Sequence, residues 1–267
     1  MHAIEFRNLT KRFDTVDAVR GVDLTIPHGQ ICGYLGPNGA GKTTTVKMAV
    51  GMLMPTEGTA LIEGINVAER PVEAKMRIGF VPETGALYEN LTPREYLALV
   101  GNLYHLDPEL AAGRTDRFLS HFGIADATDR LMTSFSRGMR QKVLISAALI
   151  HNPSILFLDE PLSGLDANTA LVLKELLRDL AARGKTIFYC SHILEVVERI
   201  CDRVVIINRG EIVADGAVDE LKVLTHQASL EDAFTDLTST VDVDSIVRAL
   251  SDNVTGGEPG SDRGGDS

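Results

Sequence analysis

The stretch Gly36-Pro37-Asn38-Gly39-Ala40-Gly41-Lys42-Thr43-Thr44 has the residue types and the spacing to hold polyphosphate. Its three glycines let the backbone curl so that successive N–H groups point inward, and a following helix adds partial positive charge at the same place. Lys42 then reaches the β- and γ-phosphates. The Thr43 hydroxyl suits a magnesium ion bridging them, and Thr44 adds a contact to the α-phosphate. An ordinary glycine turn before a helix would not require lysine and hydroxyl at these fixed positions. The stretch predicts a nucleoside triphosphate site without naming a task.

A second cluster lies far along the chain. Ser154-Ile155-Leu156-Phe157-Leu158 is an uninterrupted apolar run that ends in Asp159-Glu160. A carboxylate at the C-terminal end of a strand facing a phosphate loop can hold the hydration shell of magnesium, the role expected of Asp159. Glu160 is left to orient or deprotonate an attacking water, a role worth roughly 100- to 10,000-fold in rate. Thr186 to Cys190 reads as another strand, delivering Ser191-His192 to the same sheet edge, where His192 can hydrogen-bond the γ-phosphate. Phe13, in the turn-like Lys11-Arg12-Phe13-Asp14, is an aromatic ahead of the phosphate loop that can stack on a base.

These residues need a scaffold. Gln30 to Leu35 is a short apolar run between Gly29 and the loop, readable as a buried strand, and Thr44 to Leu53 has helical composition. Ala3–Leu9 and Ala18–Ile26 alternate as strands of an antiparallel layer. Pro55–Gly58 reads as a turn, Thr59–Glu63 as a strand, Gly64–Asn66 as a second turn and Arg77–Pro82 as a buried strand. Glu83 to Tyr88 is expected to be a flexible loop. From Thr92 to His151 helical patterns dominate: Thr92 caps, Pro93 suits the first turn and Glu95 stands three residues beyond the cap. Ser136 caps a further helix running toward Asn152-Pro153, and Asp166 caps one that Gly184 ends. Arg203–Asn208 and Glu211–Ala214 form a hairpin around Arg209-Gly210, and Ser229–Phe234 reads as a short capped helix.

Composition narrows the class. The 267 residues carry a net charge of −11, which argues against a main affinity for nucleic acid phosphates. No apolar run approaches the roughly 18 residues needed to span a bilayer, and the N-terminus lacks a charged-then-apolar signal, so a soluble, intracellular chain is expected. Cys32, Cys190 and Cys201 lie in or beside apolar segments without zinc-ligand spacing and read as reduced core thiols.

Taken in order, these segments resemble the ATP-binding subunit of ABC transporters, from Ile4 to about Leu237. Phe13 matches the adenine-stacking aromatic, Gly36 to Thr44 the Walker A loop, Ile155 to Asp159 Walker B, Glu160 the catalytic glutamate, Ser163 to Asp166 the D-loop and His192 the switch histidine. The signature is Ser136-Arg137-Gly138-Met139, departing from the usual Ser-Gly-Gly-Gln at its second and fourth positions. Ser136 and the Gly138 backbone remain able to bind phosphate.

The resemblance implies an α/β fold: a P-loop NTPase, RecA-like core of mostly parallel sheet, with an N-terminal antiparallel β layer and an inserted α-helical subdomain at about 86–151. The ATPase domain spans 1–237, and 238–267 is a C-terminal segment, expected to be disordered from about 251. The resemblance also implies ATP and Mg2+, the metal held by Thr43, Asp159 and Glu83, and hydrolysis served by Glu160, His192 and Lys42. A second ATP-binding subunit, identical or a paralogue, would pair head to tail, so that ATP is trapped between one chain's Walker A and the other's signature. Transmembrane permease subunits would complete the assembly at the inner face of the cell membrane.

Glu83 stands where most relatives place glutamine. With Leu87 to Thr92, the Ser136–Gln141 form and the terminal Leu230–Phe234, it looks like the ATPase subunits of type-2 exporters. Two other functions compete. A soluble ABC ATPase acting on ribosomes or DNA usually carries two cassettes or a long coiled coil, and this chain has neither. A catalytically inactive partner is suggested by the altered signature, but the chain retains Glu160 and His192.

Overall fold

The computed structural model describes residues 2–84, 87–225 and 229–238. Strand β1 (Ile4–Phe13) pairs antiparallel with β2 (Val16–Ile26) on one side and with β4 (Glu57–Ile62) on the other, and β5 (Ile65–Asn66) completes the order β2-β1-β4-β5. Alternation buries Ile4 and Phe6 beneath this layer, and a register shift between Phe6 and Leu9 brings Leu9 into the same core.

Local pairing corrects two sequence expectations here. Phe13 belongs to β1 and not to a turn, because Arg12 pairs with Asp17 and Phe13 with Val16. The hairpin therefore closes only at Asp14, which takes a positive φ of 43°. Ile65–Asn66 is strand, because Ile62 pairs with Ile65 across a two-residue turn in which Glu63 and Gly64 both have positive φ. A short helix, α2 (Pro71–Lys75), was not anticipated.

The second sheet has the order β10-β9-β3-β8-β7-β6. Strands β3 (Ile31–Leu35), β6 (Ile78–Val81), β7 (Ile155–Asp159), β8 (Thr186–Cys190) and β9 (Arg203–Asn208) run parallel, and only β10 (Glu211–Gly216) is antiparallel. Every residue of β3, β7 and β8 is buried, as their unbroken apolar runs require when both faces are covered. On one face Tyr34, Phe157 and Phe188 pack with Phe6 of the antiparallel layer; the Phe188 ring lies 4.9, 5.3 and 6.1 Å from the other three. Helix α1 (Lys42–Ala49) joins this core through Val46 and Met48.

The opposite face meets the helices. Helix α3 (Pro93–Leu103) begins with the predicted capping box between Thr92 and Glu95, and α4 (Pro108–His121) is capped by Asp107. Next come α5 (Arg137–Leu149) and α6 (Ala167–Ala182), capped by Ser136 and Asp166. Their apolar residues share one core with Leu156, Leu158 and Tyr189 of the sheet. Helices α7 (Leu194–Ile200), α8 (Val218–Thr225) and α9 (Leu230–Thr238) finish the described chain.

Cys32 and Cys190 are buried and Cys201 half-buried, all three as free thiols, and burial pushes Cys32 up to about 12. The expected tail beyond 251 and part of the Glu83–Tyr88 loop lie outside the described residues. Among the described residues no helix is long and apolar enough to cross a membrane.

Candidate functional site

Parallel pairing brings the C-terminal ends of β3, β7 and β8 to one edge, so the loop after Leu35 stands beside Asp159 and Cys190. The turn from β3 into α1 is set by Gly41, whose φ is +109°; a Cβ there would lie 2.4 Å from the Ala18 carbonyl. Lys42 extends across the loop, its Nζ donating to the carbonyls of Gly36 (2.6 Å) and Pro37 (3.2 Å). One residue on, the Thr43 hydroxyl donates to Asp159 Oδ2 at 3.1 Å. The predicted juxtaposition of loop hydroxyl and strand-end carboxylate is therefore present.

Glu160 leaves the strand with φ +50°, a left-handed conformation uncommon for a residue with a side chain and typical of sites whose surroundings over-determine it. Three donors from the segment after β8 hold its carboxylate. The backbone N–H of His192 (2.8 Å) donates to Oε1, the His192 ring Nδ1 lies 2.7 Å from the same oxygen, and the Ser191 hydroxyl (3.1 Å) donates to Oε2. His192 thus rests on Glu160 rather than on the phosphate loop. Its side chain stays 72% exposed, free to be met by another surface.

Around these groups opens a cleft of about 860 Å³, lined by the loop from Gly36 to Thr44 except Ala40, with Glu83, Asp159, Glu160 and His192. Phe13 lines its outer end, 45% exposed, with Lys11 Nζ 5.1 Å from its ring centroid, so it is no part of the core. Ala40 is buried beneath the loop. A second cleft of about 470 Å³ runs between the sheet and the helices, past Phe80, Tyr96, Tyr104 and His151. It shares Thr43, Glu83 and Asp159 with the first.

Apart from Ala40, Ser136 and Gly138 are the predicted residues that do not line this cleft. The start of α5 instead packs on the segment after Glu160. A Cβ on Gly138 would lie 2.5 Å from the Gly164 carbonyl, Arg137 Nη2 donates to the Ser163 hydroxyl, and buried Gln141 donates to the Pro161 carbonyl at 2.9 Å. Ser136 Oγ accepts from the Met139 N–H at 3.3 Å and remains at the surface.

Burial pushes the Asp159 carboxyl up to about 6, aided by the nearby Glu83 and Glu160 carboxylates and opposed by the Thr43 hydroxyl and Lys42. The folded chain therefore holds this proton more tightly than the unfolded one. Stability from the protonated form is lost as pH rises toward 6, and above that the buried charge weighs against the fold. Asp159→Asn removes that charge and keeps an oxygen for Thr43. Its expected effect in the nucleotide-free protein is a gain of about 2 kcal/mol at pH 8, a few degrees of Tm, that disappears at pH 4. Calorimetry at the two pH values checks this; a lower Tm for the variant at pH 8 contradicts it.

Thr43, Asp159 and Glu83 offer hydroxyl and carboxylate oxygens, the donor chemistry of Mg2+. Among the described residues no three His, Cys, Asp or Glu side chains converge as a cage. That fits a metal whose remaining positions are filled by phosphate and water.

Ser191 and Phe234 also meet the cleft, in roles that the sequence does not announce. For Ser191 the usable signal is a hydroxyl directly after a strand that ends beside an acid. Phe234 lines the cleft from α9, and nothing local in the sequence indicates that packing.

A family model described as ABC transporter matches residues 19–163. The chain is 41% identical over 224 residues to the ABC transporter ATP-binding protein NatA of Bacillus subtilis (strain 168), covering 82% of this chain and 91% of that protein. It is 38% identical to Nod factor export ATP-binding protein I of Burkholderia lata, covering 80% and 70% respectively. A dimeric structure of the ATP-binding cassette MJ0796, in a post-hydrolysis state bound to ADP and Pi, superimposes with a TM-score of 0.75 at 26% identity, over 80% of this chain and 98% of that one.

Proposed function

The chain belongs to the ABC transporter family as an ATP-binding, ATP-hydrolysing subunit that powers a membrane transporter, and from that premise we propose that two copies pair head to tail to drive an exporter. One observation carries the pairing: Ser136 and Gly138, at the N-terminus of α5, lie outside the cleft that contains Lys42, Asp159 and Glu160. A helix N-terminus is an anion site, and here it faces outward. A second chain supplies it to the first chain's nucleotide and receives the same in return. Because the chain carries both halves, self-pairing completes two sites. Pairing is also seen in the dimeric cassette to which the chain is similar.

In this reading ATP lies in the cleft with its base on Phe13, a stack worth about 1 to 3 kcal/mol. The loop N–H groups and Lys42 hold the phosphates. Thr43 and Asp159, with Glu83 beside them, would hold Mg2+, which when bound neutralises phosphate charge. Glu160 orients a water and takes its proton as the water oxygen bonds to the γ-phosphorus. The bond from that phosphorus to the bridging oxygen breaks, leaving ADP and phosphate. Ser191 and His192 keep the Glu160 carboxylate aimed, and His192 turns toward the γ-phosphate when the partner closes. Loss of phosphate removes the charge joining the two chains, and they part.

Export is favoured by the similarity to a Nod factor export protein and by Glu83 with the segments that accompany it. The second cleft shares Glu83 with the nucleotide site, so a permease segment seated there would feel the metal's surroundings directly. The division into a cassette over 1–237, with a helical subdomain at about 86–151 and a separate C-terminal segment, is part of the same proposal. So is a position on the inner face of the cell membrane, reached through the permease.

Copurification from detergent-solubilised membranes tests the assignment. The expected result is this subunit held with a permease that moves its substrate outward in ATP-loaded vesicles. Recovery with ribosomes and no membrane protein, or inward movement, overturns it.

A further inference from the structure

Away from the nucleotide, α4, the end of α5 and α6 enclose a cavity of about 320 Å³. Its floor is apolar, made by Phe118, Leu149, Leu176 and Leu180, and its rim carries Arg114, Arg117, His121 and Lys185 without a single carboxylate. In a chain of net charge −11 such a concentration of basic groups is unexpected. Elsewhere the surface arginines are typically matched: Arg178 pairs with Glu175 and Arg183 with Asp179 on α6 itself. Among the described residues none of the four rim groups has a carboxylate partner.

Two of the rim groups point at backbone. Arg114 Nη1 donates to the Ile150 carbonyl at 2.5 Å, and Lys185 Nζ donates to the carbonyls of Pro153 (2.5 Å) and Asn152 (3.4 Å). They thereby sit at the C-terminal end of α5, whose dipole amounts to roughly half a negative charge and offsets only a fraction of theirs. The Lys185 ammonium is held below its usual range by burial and then by the Arg114 charge beside it. An anion at the rim would stabilise the charged ammonium against both effects, while Arg117 and His121, both exposed on α4, are placed to meet it.

We propose that this cavity binds a small anionic amphiphile, its carboxylate or phosphate head on Arg114, Arg117 and Lys185 and its apolar body against Phe118 and Leu180. A cavity of this size takes a chain of medium length rather than a whole lipid. The site lies at the opposite edge of the parallel sheet from the nucleotide: β7 and β8 begin next to Pro153 and Lys185 and end at Asp159 and Cys190. Occupation therefore does not compete with ATP.

Calorimetric titration of the full chain with decanoate, decyl phosphate and decyltrimethylammonium tests the proposal, with acetate and inorganic phosphate as headgroups lacking the apolar body. Both anionic amphiphiles are expected to bind at one site per chain, at least tenfold more tightly than the cation or either headgroup alone. A preference for one of the two separates carboxylate from phosphate as the natural head. Arg117→Glu alters an exposed side chain with no hydrogen-bond partner among the described residues, and is expected to weaken binding at least tenfold while ATPase activity stays within twofold.

The chain has no tryptophan. Leu180→Trp therefore adds a single reporter at the floor, which 2-bromodecanoate should quench saturably. Equal binding of the cationic amphiphile, affinity unchanged in Arg117→Glu, or no binding of either anion at millimolar concentration would overturn the site.

Discussion

Glu160→Gln is expected to lower ATP turnover by roughly 100- to 10,000-fold while leaving ATP binding intact. The amide has nearly the shape of the carboxylate, so an oxygen can still accept from His192 N–H at the position of Oε1. What it cannot do is take a proton from water. ATP that is bound and not hydrolysed continues to join two chains, so the variant should elute as a dimer in ATP and as a monomer in ADP. Turnover near the unmodified rate would remove Glu160 from the chemistry. Turnover lost without an ATP-dependent dimer would point to a structural effect of the changed contact with Ser191 and His192.

The second large effect comes from dividing the site between two variants. Lys42→Ala disables the phosphate loop and leaves the start of α5 untouched. Gly138→Val places side-chain atoms where a Cβ alone would already lie 2.5 Å from the Gly164 carbonyl, and so displaces the start of α5 from the segment after Glu160. Each variant alone is expected to be inactive. Mixed in equal amounts, half of the randomly formed pairs contain one of each, and each such pair has one intact site of two, giving up to about a quarter of full activity. No restoration across a range of mixing ratios, with mixed pairs demonstrated by tagging, would argue that the two surfaces act within a single chain. Activity in Gly138→Val alone would remove the α5 terminus from the site.

The two experiments probe different physics. Glu160 acts on a proton within one chain, and its replacement should preserve the assembly. The complementation depends on which chain provides each charge, and it is indifferent to the identity of the base. Agreement between them would tie the cleft's acid cluster and the outward-facing helix to one reaction.

The sequence by itself determined whatever is decided within a few residues. The glycine spacing before Lys42, the Thr92–Glu95 capping box, the Ser136 and Asp166 caps and the unbroken apolar runs of β3, β7 and β8 were legible because each rests on local backbone geometry or on burial of both sheet faces. The strand limits near Phe13 and Ile65 were not, since pairing with Val16 and Ile62 extends a strand through residues whose own preferences suit a turn. Only the tertiary structure decided which groups meet. Thr43 touches Asp159 across 116 positions and Glu160 takes its donors from 31 and 32 positions away, while Ser136, 24 positions before Glu160, is kept out of the cleft. Strand order and helix packing set those distances. They depend on the burial of the whole core and leave little trace in any single stretch of residues.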